Sequence, residues 1–550
     1  MSFFFFGQHS FRGSARSRWR LIHSSASSLR NYRVPGLLTS SCCLLASLTA
    51  TPLIPDTNSL ALGSATLSLP RSSSSKPLDG LLVRVVKNAW LAIRICIRGV
   101  RLLLTFGPVF LAYPLASVVR TPFPQVYHAW WRWFLWCFEM SGPAFLKFGQ
   151  WASTRRDLFS EEFCSRFSKL HHQTRPHSWE ATKRILNEEL GSDWNKYLND
   201  VDVEPVGSGA VAQVYRASFR VGFARLHIQP RPPLLNTPVD SEVAMRVAIK
   251  VIHPRVEQEI RMDVSLLRFG AKLLEALPFL GLSWLNLVHS ATEFGKIMNN
   301  QLDLRQEAQN LKRFAASFES DASVRFPRPI ESCVTSRVLV ETLEPGSHVG
   351  DFIAPGRYVS DKVKKRIARV GMNTFLKMLF QDNFFHGDLH PGNILVSGLS
   401  PSKDPQAPTD VGENEIVLTF LDAGIAVELS PKDQVSGNIR FKYSRRISAM
   451  HLQSLFKGGC CRDPERFRVE MKALVDEQLY ACFFSKRGRM MVGSVLSRAF
   501  RLAREHRVQL ESNFVSVVIG VVIVEGLARD LDPDLDLLHC VTPFLLRSPL

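Results

Sequence analysis

The first 55 residues contain no aspartate or glutamate, although the whole chain of 550 residues has 50 acidic side chains. The same stretch is rich in serine and arginine and starts with the apolar run Phe3–Phe6. An acid-free, arginine-rich N-terminus is typical of a mitochondrial presequence, whereas a secretory signal has one compact apolar segment after a short basic region. We therefore predict a presequence at 1–55. The alternative is a disordered tail that is basic by chance.

Cysteine is sparse, with ten residues in the chain, and no pair has Cys-x-x-Cys spacing. This excludes a disulfide framework and a zinc-finger domain, and it predicts reduced, mostly buried thiols. Long basic runs are also missing, because the net charge of +18 is scattered along the chain. A nucleic-acid-binding track is therefore not expected, and we predict no nucleic-acid partner.

The segment 102–119 is uncharged between Arg101 and Arg120, and its eighteen residues just meet the minimum for a membrane span. However, we expect Gly107, Pro108 and Pro114 to interrupt a helix there. The segment is thus either a single membrane span or a buried or interfacial helix pair. A tryptophan cluster follows, which suits either a membrane interface or packing against a neighbouring lobe: Trp130, Trp131, Trp133 and Trp136.

The remaining pattern predicts an α+β, bilobal protein-kinase-like fold. A Ser/Pro-rich linker at 56–84 leads into a helical extension at 85–200. A β-rich small lobe follows at 201–345, with a Pro-rich surface insertion at 221–245. The pattern of 346–550 predicts a mainly helical large lobe that contains one β-hairpin, formed by the segments NILV and EIVLTFLD.

Two motifs of the large lobe have the spacing of a phosphoryl-transfer site. In HGDLHPGNILV, Asp388 precedes Asn393 by five residues, which matches a carboxylate beside the attacking hydroxyl and an amide ligand for magnesium. In LDAG, Asp422 follows a strand, as does the carboxylate that holds magnesium against the β- and γ-phosphates. We predict Asp388 as the catalytic carboxylate, and Asn393 and Asp422 as ligands of Mg²⁺.

The small lobe supplies the predicted nucleotide contacts. Lys250 ends the strand RVAIK, where a buried ammonium needs the α/β-phosphates and an acidic partner. In the preceding loop GSGAVAQV, glycine would let backbone N–H groups approach phosphate oxygens. The residues assigned to nucleotide binding are Gly207, Ser208, Gly209, Lys250 and, in the strand VLVET, Glu341.

Several segments together resemble the ABC1/aarF-domain family, also called UbiB-like atypical kinases. The resemblance covers about 100–540 and rests on FLKFGQ, GSGAVAQV, VAIK, LDLRQEAQN, HGDLHPGNIL, LDAG and EGLARDLDP. Lys147, Gly149 and Gln150 match that family's Lys-x-Gly-Gln signature. The resemblance implies a mitochondrial, ATP- and Mg²⁺-binding kinase-like protein linked to coenzyme Q biosynthesis and lipid homeostasis. It also implies an inner-membrane lipid surface and coenzyme Q biosynthesis proteins as partners.

The resemblance further implies that Lys147 and Gln150 line the nucleotide pocket and disfavour protein substrates. The residues agree, since no Ala-Pro-Glu motif follows Asp422, and Gly387 replaces the arginine that protein kinases use to gather a phosphorylated loop. Protein-kinase activity is therefore not expected. An ATPase or a small-molecule kinase is the main hypothesis. A nucleotide-gated scaffold or lipid-binding chaperone and a phosphotransferase of the choline-kinase type are the alternatives.

Two departures from the family pattern bear on activity. The loop GSG stands where the family carries an Ala-rich loop, and Gln301 replaces an acid. If that acid is the usual lysine partner, Lys250 must pair with Glu307 or Asp303; we assign Glu307. A neutral Gln301 would then favour slow catalysis.

Two histidines and one apolar segment are predicted to have structural roles. His386 and His390 are expected to be hydrogen-bonded supports rather than metal ligands, because no third ligand accompanies them. The ten residues Val515 to Val524 are too short to cross a bilayer and predict a buried helix of the large lobe.

Overall fold

The computed structural model describes residues 77–170, 174, 176–220, 244–277, 285–399, 401, 416–429, 456–457, 461, 463–484, 492–510 and 512–547. The predicted presequence, most of the predicted linker and nearly all of the Pro-rich insertion lie outside these residues. The chain divides into Met1–Pro77 and a second unit, Leu78–Leu550, which contains the elements described below.

The first helix, α1 (Pro77–Val118), is longer than predicted. It starts inside the segment assigned to the linker and continues through Pro108 and Pro114, so the expected interruption is wrong. Groups from the next helix bond carbonyls near the prolines: the Trp130 indole N–H donates to Val109 O at 2.9 Å, and the Cys137 thiol lies 3.4 Å from Thr105 O. These two bonds join α2 to backbone carbonyls of α1 that lie close to the prolines.

Four further helices complete the extension. They are α2 (Pro124–Met140), α3 (Pro143–Thr154), α4 (Glu161–Phe167) and α5 (Trp179–Leu190). Aromatic side chains of α1 and α2 interlock, with the ring centroids of Phe106 and Phe138 5.2 Å apart. The Trp cluster divides: Trp130 and Trp131 are buried in this contact, whereas Trp133 and Trp136 are exposed.

The small lobe is built on a six-stranded sheet with the order β1-β3-β4-β7-β6, in which β2 also pairs with β3. Its strands are β1 (Leu198–Asn199), β2 (Gly207–Ser208), β3 (Ala212–Arg220), β4 (Ala244–Ile252), β6 (Pro329–Val334) and β7 (Val338–Thr342). The lobe extends beyond the predicted 201–345, because β1 belongs to the sheet and Ile185 and Leu186 of α5 share its buried core. The last two residues of the predicted insertion belong to β4.

Within the described residues, three helices lie between β4 and the later strands. They are α6 (Val256–Glu275), α7 (Leu287–Gln301) and α8 (Leu304–Ser317). A buried ion pair joins α1 to α6, since the Arg98 guanidinium donates to both carboxylate oxygens of Asp263 at 2.8 and 2.9 Å. Arg98 also donates to Ser141 O, just before α3, so it ties three helices together.

The large lobe contains a four-stranded sheet of order β5-β11-β10-β8 and the helices behind it. These strands are β5 (Val324–Arg325), β8 (Ser347–His348), β10 (Ile394–Ser397) and β11 (Val417–Phe420). The strands β10 and β11 pair antiparallel with Ile394 opposite Phe420, which confirms the predicted hairpin. Two short pairs are β9 (Phe385–His386) with β12 (Ala426–Val427), and β13 (Phe456–Lys457) with β14 (Gln509–Leu510).

In the part of the large lobe that the structure describes, the helices are α9 (Asp361–Phe380), α10 (Pro464–Phe484), α11 (Val492–Glu505), α12 (Ser512–Leu531) and α13 (Leu537–Arg547). Within α12, the side chains of Val515, Val518 and Val524 are buried, so the prediction of a buried helix is confirmed. The end of the hairpin and the first turn of α8 meet beside Lys250 of β4. The region between the two lobes at this point is called the cleft below.

Candidate functional site: a lysine–carboxylate cluster between two lobes

A buried lysine joins the two lobes. The Lys250 ammonium lies 2.8 Å from Glu307 Oε1 and 3.1 Å from Asp422 Oδ1. β4 supplies the lysine, and the first turn of α8 supplies the glutamate. Asp303, the other predicted partner, caps α8 instead, because its carboxylate accepts from the Arg305 backbone N–H at 3.1 Å. Of the two predicted lysine partners, the structure therefore has Glu307.

The charges of this cluster shift one another's pKa values. Burial alone would lower the pKa of Lys250, but the carboxylates of Asp422 and Glu307 outweigh burial and raise it. The pKa of Glu307 rises to about 7, because burial exceeds the effect of Lys250. The pKa of Asp422 is lowered, since Lys250 and then Lys147 outweigh desolvation. The cluster therefore keeps Lys250 and Asp422 ionised at neutral pH.

The loop around Asp388 is fixed by backbone and histidine bonds. His386 is fully buried; its Nε2–H donates to Leu421 O at 2.9 Å, and its Nδ1 accepts from the Asp388 N–H at 3.1 Å. Burial lowers the pKa of His386, so the ring is neutral, as both bonds require. His390 Nδ1 accepts from the Gly392 N–H at 3.1 Å. Both predicted supporting histidines are thus hydrogen-bonded to the loop.

Asn393 links the Asp388 loop to the segment before Asp422. Its Nδ2–H donates to Asp388 O at 3.0 Å, and its backbone carbonyl accepts from the Leu421 N–H at 2.8 Å. Because the side-chain amide is planar, its oxygen faces away from the Asp388 carbonyl. The loop and the end of β11 are therefore held together by Asn393 and His386.

Asp422 has left-handed backbone geometry, with φ of 51°. This conformation is unfavourable for a residue other than glycine, and such residues concentrate at functional sites. The following residue is anchored, because the Asn310 amide donates to Ala423 O at 2.8 Å. Asn310 lies three positions after Glu307, on the same face of α8. The sequence analysis gave it no role, although this helical spacing was a usable signal.

The donors fit a magnesium ion that is shared with a nucleotide. Among the described residues, no three His, Cys, Asp or Glu side chains form a metal site. The predicted pair, Asn393 and Asp422, offers an amide oxygen and a carboxylate oxygen. Mg²⁺ prefers oxygen ligands and commonly takes only one or two from the protein, with phosphates and water completing its shell. The pair therefore suits an ion that arrives with a triphosphate.

The glycine loop is less available to phosphate than predicted. Gly207 and Ser208 form β2, and the Gly209 N–H donates to Ala212 O at 2.9 Å, so this amide is used inside the turn. The Gly209 carbonyl accepts from Thr174 and from His253. In this conformation the pairing within the turn therefore occupies the Gly209 amide, and the role of Gly209 in phosphate binding stays a prediction.

The helix α3, which carries Lys-x-Gly-Gln, packs over the tip of that loop. Ala210 shares a buried cluster with Phe145 and Leu146, and Val211 shares one with Ala144. A Cβ added at Gly149 would lie 2.6 Å from Leu170 Cδ1 and 3.1 Å from Phe167 Cδ1. The glycine is thus required for the close contact of α3 with its neighbours.

Lys147 and Gln150 are the other two signature residues of α3. Lys147 is half-buried, and its charge lowers the pKa of Asp422, so its ammonium is within electrostatic reach of that carboxylate. Gln150, also half-buried, is one turn of helix further along α3. Gln301, which replaces an acid of the family pattern, ends α7, and its Oε1 is buried without a hydrogen-bond partner among the described residues.

The remaining predicted residue, Glu341, lies on β7 beside β4. The register places it opposite Ala248, and it places Leu339 opposite Lys250. Burial and then the charge of Glu307 raise the pKa of Glu341 to about 8. Glu341 is therefore part of the same electrostatic cluster as Lys250, Glu307 and Asp422.

Position 387 has no room for the arginine of protein kinases. A Cβ at Gly387 would lie 2.7 Å from Ile425 Cγ2 and 3.1 Å from Val427 Cγ2. These contacts come from the β9–β12 pair, which tightens the loop around Asp388. The side chains of Ile425 and Val427 therefore leave no space for an arginine at position 387.

A histidine pair behind the glycine loop was missed by the sequence analysis. His177 Nδ1 lies 2.7 Å from His253 Nδ1, and His253 Nε2 lies 2.9 Å from Gly209 O. His177 Nε2 continues the chain to Thr182 Oγ1 at 2.8 Å. Neither histidine belongs to a motif, and 76 positions separate them, so no local signal indicated the contact.

The lobes, the lysine–glutamate–aspartate cluster and the Asp388 loop define an atypical, kinase-like protein. The model of the ABC1 atypical kinase-like domain matches 169–224 and 239–438, and the model of the UbiB helical domain matches 487–536. The chain belongs to the ABC1/UbiB family.

Individual relatives agree with that assignment. The fission yeast protein named ABC1 family protein C21C3.03, mitochondrial, is 30% identical over 508 residues, covering 82% of this chain and 71% of the relative. The budding yeast protein named ABC1 family protein YPL109C, mitochondrial, is 30% identical over 455 residues, which cover 75% of this chain and 68% of the relative. The probable protein kinase UbiB of Pseudomonas fluorescens is 28% identical over 411 residues, which cover 74% of this chain and 69% of the relative.

Proposed function

We propose that the cleft binds MgATP and that the protein is a mitochondrial atypical kinase or ATPase. The observation that carries this proposal is the position of Lys250 between Glu307 and Asp422. A lysine that is paired with one acid from a helix and lies beside a second acid from LDAG is the arrangement that phosphoryl transfer needs. The family membership supports the proposal, and a role in coenzyme Q biosynthesis and lipid metabolism follows from the family resemblance.

Each predicted side chain has a defined task in this proposal. Lys250 holds the α/β-phosphates, and Glu307 fixes its position. Asn393 and Asp422 hold Mg²⁺, which when bound offsets charge on the phosphates. Asp388 orients the attacking hydroxyl or water and accepts its proton. Lys147 adds positive charge beside Asp422, where the phosphates would lie.

A second candidate function is a nucleotide-gated scaffold that does little chemistry. It is favoured by α3, which packs over the loop tip at Ala210 and Val211, and by the internal use of the Gly209 amide. In this case nucleotide binding would shift α3 without many turnovers.

Phosphate release in the presence of Mg²⁺, with and without lipid vesicles, separates the two candidates. We expect multiple turnovers in the wild type and at least about a hundredfold loss in Asp388→Asn, as for loss of a general base. MgATP binding should persist in that variant. The matched control is Asp193→Asn, whose carboxylate forms an exposed pair with Lys196. Binding without turnover in the wild type would favour the scaffold, and no binding would contradict both.

We also propose that α1 and α2 form the surface that meets the inner-membrane lipid bilayer. The stretch Asn88–Val118 is long and apolar enough to cross a membrane, and little of it is buried. Its outer face exposes large apolar side chains, including Leu104 and Leu111, which are 71% and 84% exposed. Exposed apolar area of this extent marks an interaction site in a folded protein.

A groove between α1 and α2 favours a lipid over a protein as the partner of this surface. It has a volume of about 320 Å³ and is lined by Arg101, Leu104, Trp133 and Trp136, among others. A guanidinium beside exposed indole rings suits the boundary between headgroups and acyl chains. Coenzyme Q biosynthesis proteins on the same membrane are the protein partners that the family resemblance implies.

A further inference from the structure

Glu341 lies on the same face of the sheet as Lys250. On β7, Val338 and Val340 share a buried core with Val247 and Ile249 of β4. Because strand side chains alternate between faces, Glu341 must point to the opposite side. Lys250 and Ala248 of β4 point to that same side, which faces the cleft.

The distance between Glu341 and Lys250 suits one nucleotide. Glu341 is opposite Ala248, which lies two positions before Lys250 on β4. Two residues of a strand span roughly 7 Å. A nucleotide with its α/β-phosphates at Lys250 can therefore place its base beneath Ala248, whose single methyl group leaves room for a flat ring. The base would then have its edge toward Glu341.

The carboxyl group of Glu341 offers an unused hydrogen-bonding atom at that place. Its Oε2 is buried and has no hydrogen-bond partner among the described residues. Buried polar atoms are almost always paired, and an unpaired one costs free energy. Burial and the charge of Glu307 raise the pKa of Glu341 to about 8, so at neutral pH the group also carries a proton that it can donate.

We propose that Glu341 recognises the base of the bound nucleotide and selects adenine over guanine. The inference rests on the proposed MgATP site. One carboxyl oxygen accepts a hydrogen bond from the N6 amino group of adenine, and the protonated oxygen donates one to the ring nitrogen N7. Asn and Gln read adenine through the same pair of atoms. Guanine presents two acceptors there, so the accepting oxygen of Glu341 faces another acceptor.

The first test compares ATP and GTP affinity, both with Mg²⁺, in the full chain. We expect the wild type to prefer ATP by at least about tenfold. Glu341→Gln should keep the preference, because an amide also offers one donor and one acceptor. Glu341→Met should reduce the ratio to about one. The control is Glu331→Gln, the same change at an exposed position of β6 that pairs with Lys312.

A second test changes the ligand and does not depend on the folding of a variant. With the wild type, an ATP analogue without the amino group and one without the ring nitrogen should each bind about threefold to tenfold more weakly. Equal affinity for both analogues and ATP would overturn the inference.

The outcomes separate this inference from the proposed function. A wild type that binds neither ATP nor GTP overturns both. A wild type that binds ATP with a preference that survives Glu341→Met overturns the inference alone. Equal gains in ATP and GTP affinity in both variants would also overturn it, because they would show a simple loss of negative charge.

Discussion

The cleft at Lys250 and the outer face of α1 and α2 depart from ordinary protein surfaces in opposite ways. In the cleft, the Lys250 ammonium is removed from water and lies between the carboxyl groups of Glu307 and Asp422. On α1, Leu104 and Leu111 are apolar side chains left in water. Buried charge and exposed apolar area are the two departures that carry functional information. We therefore propose chemistry for the first region and attachment to a membrane for the second.

The largest expected effect breaks the cleft and leaves the α1–α2 face unchanged. Asp422→Asn removes the carboxylate that pairs with Lys250 and is proposed to hold Mg²⁺. MgATP affinity should fall at least about a hundredfold, since a metal ligand and its charge are lost. Titration calorimetry would measure it, with Asp193→Asn as control. Unchanged Mg²⁺-dependent affinity would reject the metal assignment.

The reverse experiment breaks the α1–α2 face and leaves the cleft unchanged. The double variant Leu104→Glu/Leu111→Glu should bind anionic vesicles at least about tenfold more weakly, because each leucine contributes roughly 1.5–3 kcal/mol when buried and a charge costs more. Vesicle co-sedimentation measures the effect.

Its control is Val469→Glu on α10, which also replaces an exposed apolar side chain. MgATP affinity should be equal in all of these proteins. If the double variant binds vesicles like the wild type, lipid does not meet this face.

The helix α3 lies between the cleft and the α1–α2 face, and the variant Gly149→Ala tests how closely it is packed. In Gly149→Ala the new methyl group would overlap Leu170, so the free energy of unfolding should fall by about 1–3 kcal/mol. Gly270→Ala in α6 is the matched control, because no described heavy atom lies within 4 Å of the added Cβ. That variant should be more stable by up to about 1 kcal/mol.

Urea unfolding compares the two glycine variants. Equal stability for both would contradict the close packing of α3 against α4. A change in MgATP affinity in Gly149→Ala alone would show that the position of α3 matters to the cleft.

The smallest effect concerns pH. Burial, and then the charge of His253, lowers the pKa of His177 from 6.5 to about 4. The unfolded chain therefore binds a proton that the folded chain does not, and this part of the stability is lost as pH falls from 6.5 toward 4. For a half-buried ring, we expect about 1 kcal/mol less stability at pH 5 than at pH 7.

Urea unfolding at the two pH values would measure this loss. His177→Gln should show a smaller loss than the wild type, and His289→Gln, which changes an exposed histidine, should not. An identical loss in all three proteins would contradict a proton-free His177 in the fold.

The cleft was predictable from sequence because its residues lie in short motifs with fixed spacing. The five-residue step from Asp388 to Asn393 and the strand before Asp422 specify their positions locally. The partner of Lys250 could only be narrowed to Glu307 or Asp303, since the choice depends on how α8 is oriented against β4.

Features that depend on contacts between distant segments could not be predicted. The helix α1 continues through Pro108 and Pro114 where it packs against α2, whose side chains bond carbonyls near the prolines. The contact between His177 and His253 joins two segments that lie 76 positions apart. A helix or loop pattern carries no information about either partner.

The central claim is that the lobes bind a nucleotide through a shared magnesium ion. Equilibrium binding of ATP to the purified wild type, with Mg²⁺ and then with the metal chelated, tests it most directly. Saturable one-to-one binding that is lost with the metal is the predicted result. Absent binding, or equal affinity with and without Mg²⁺, would contradict it.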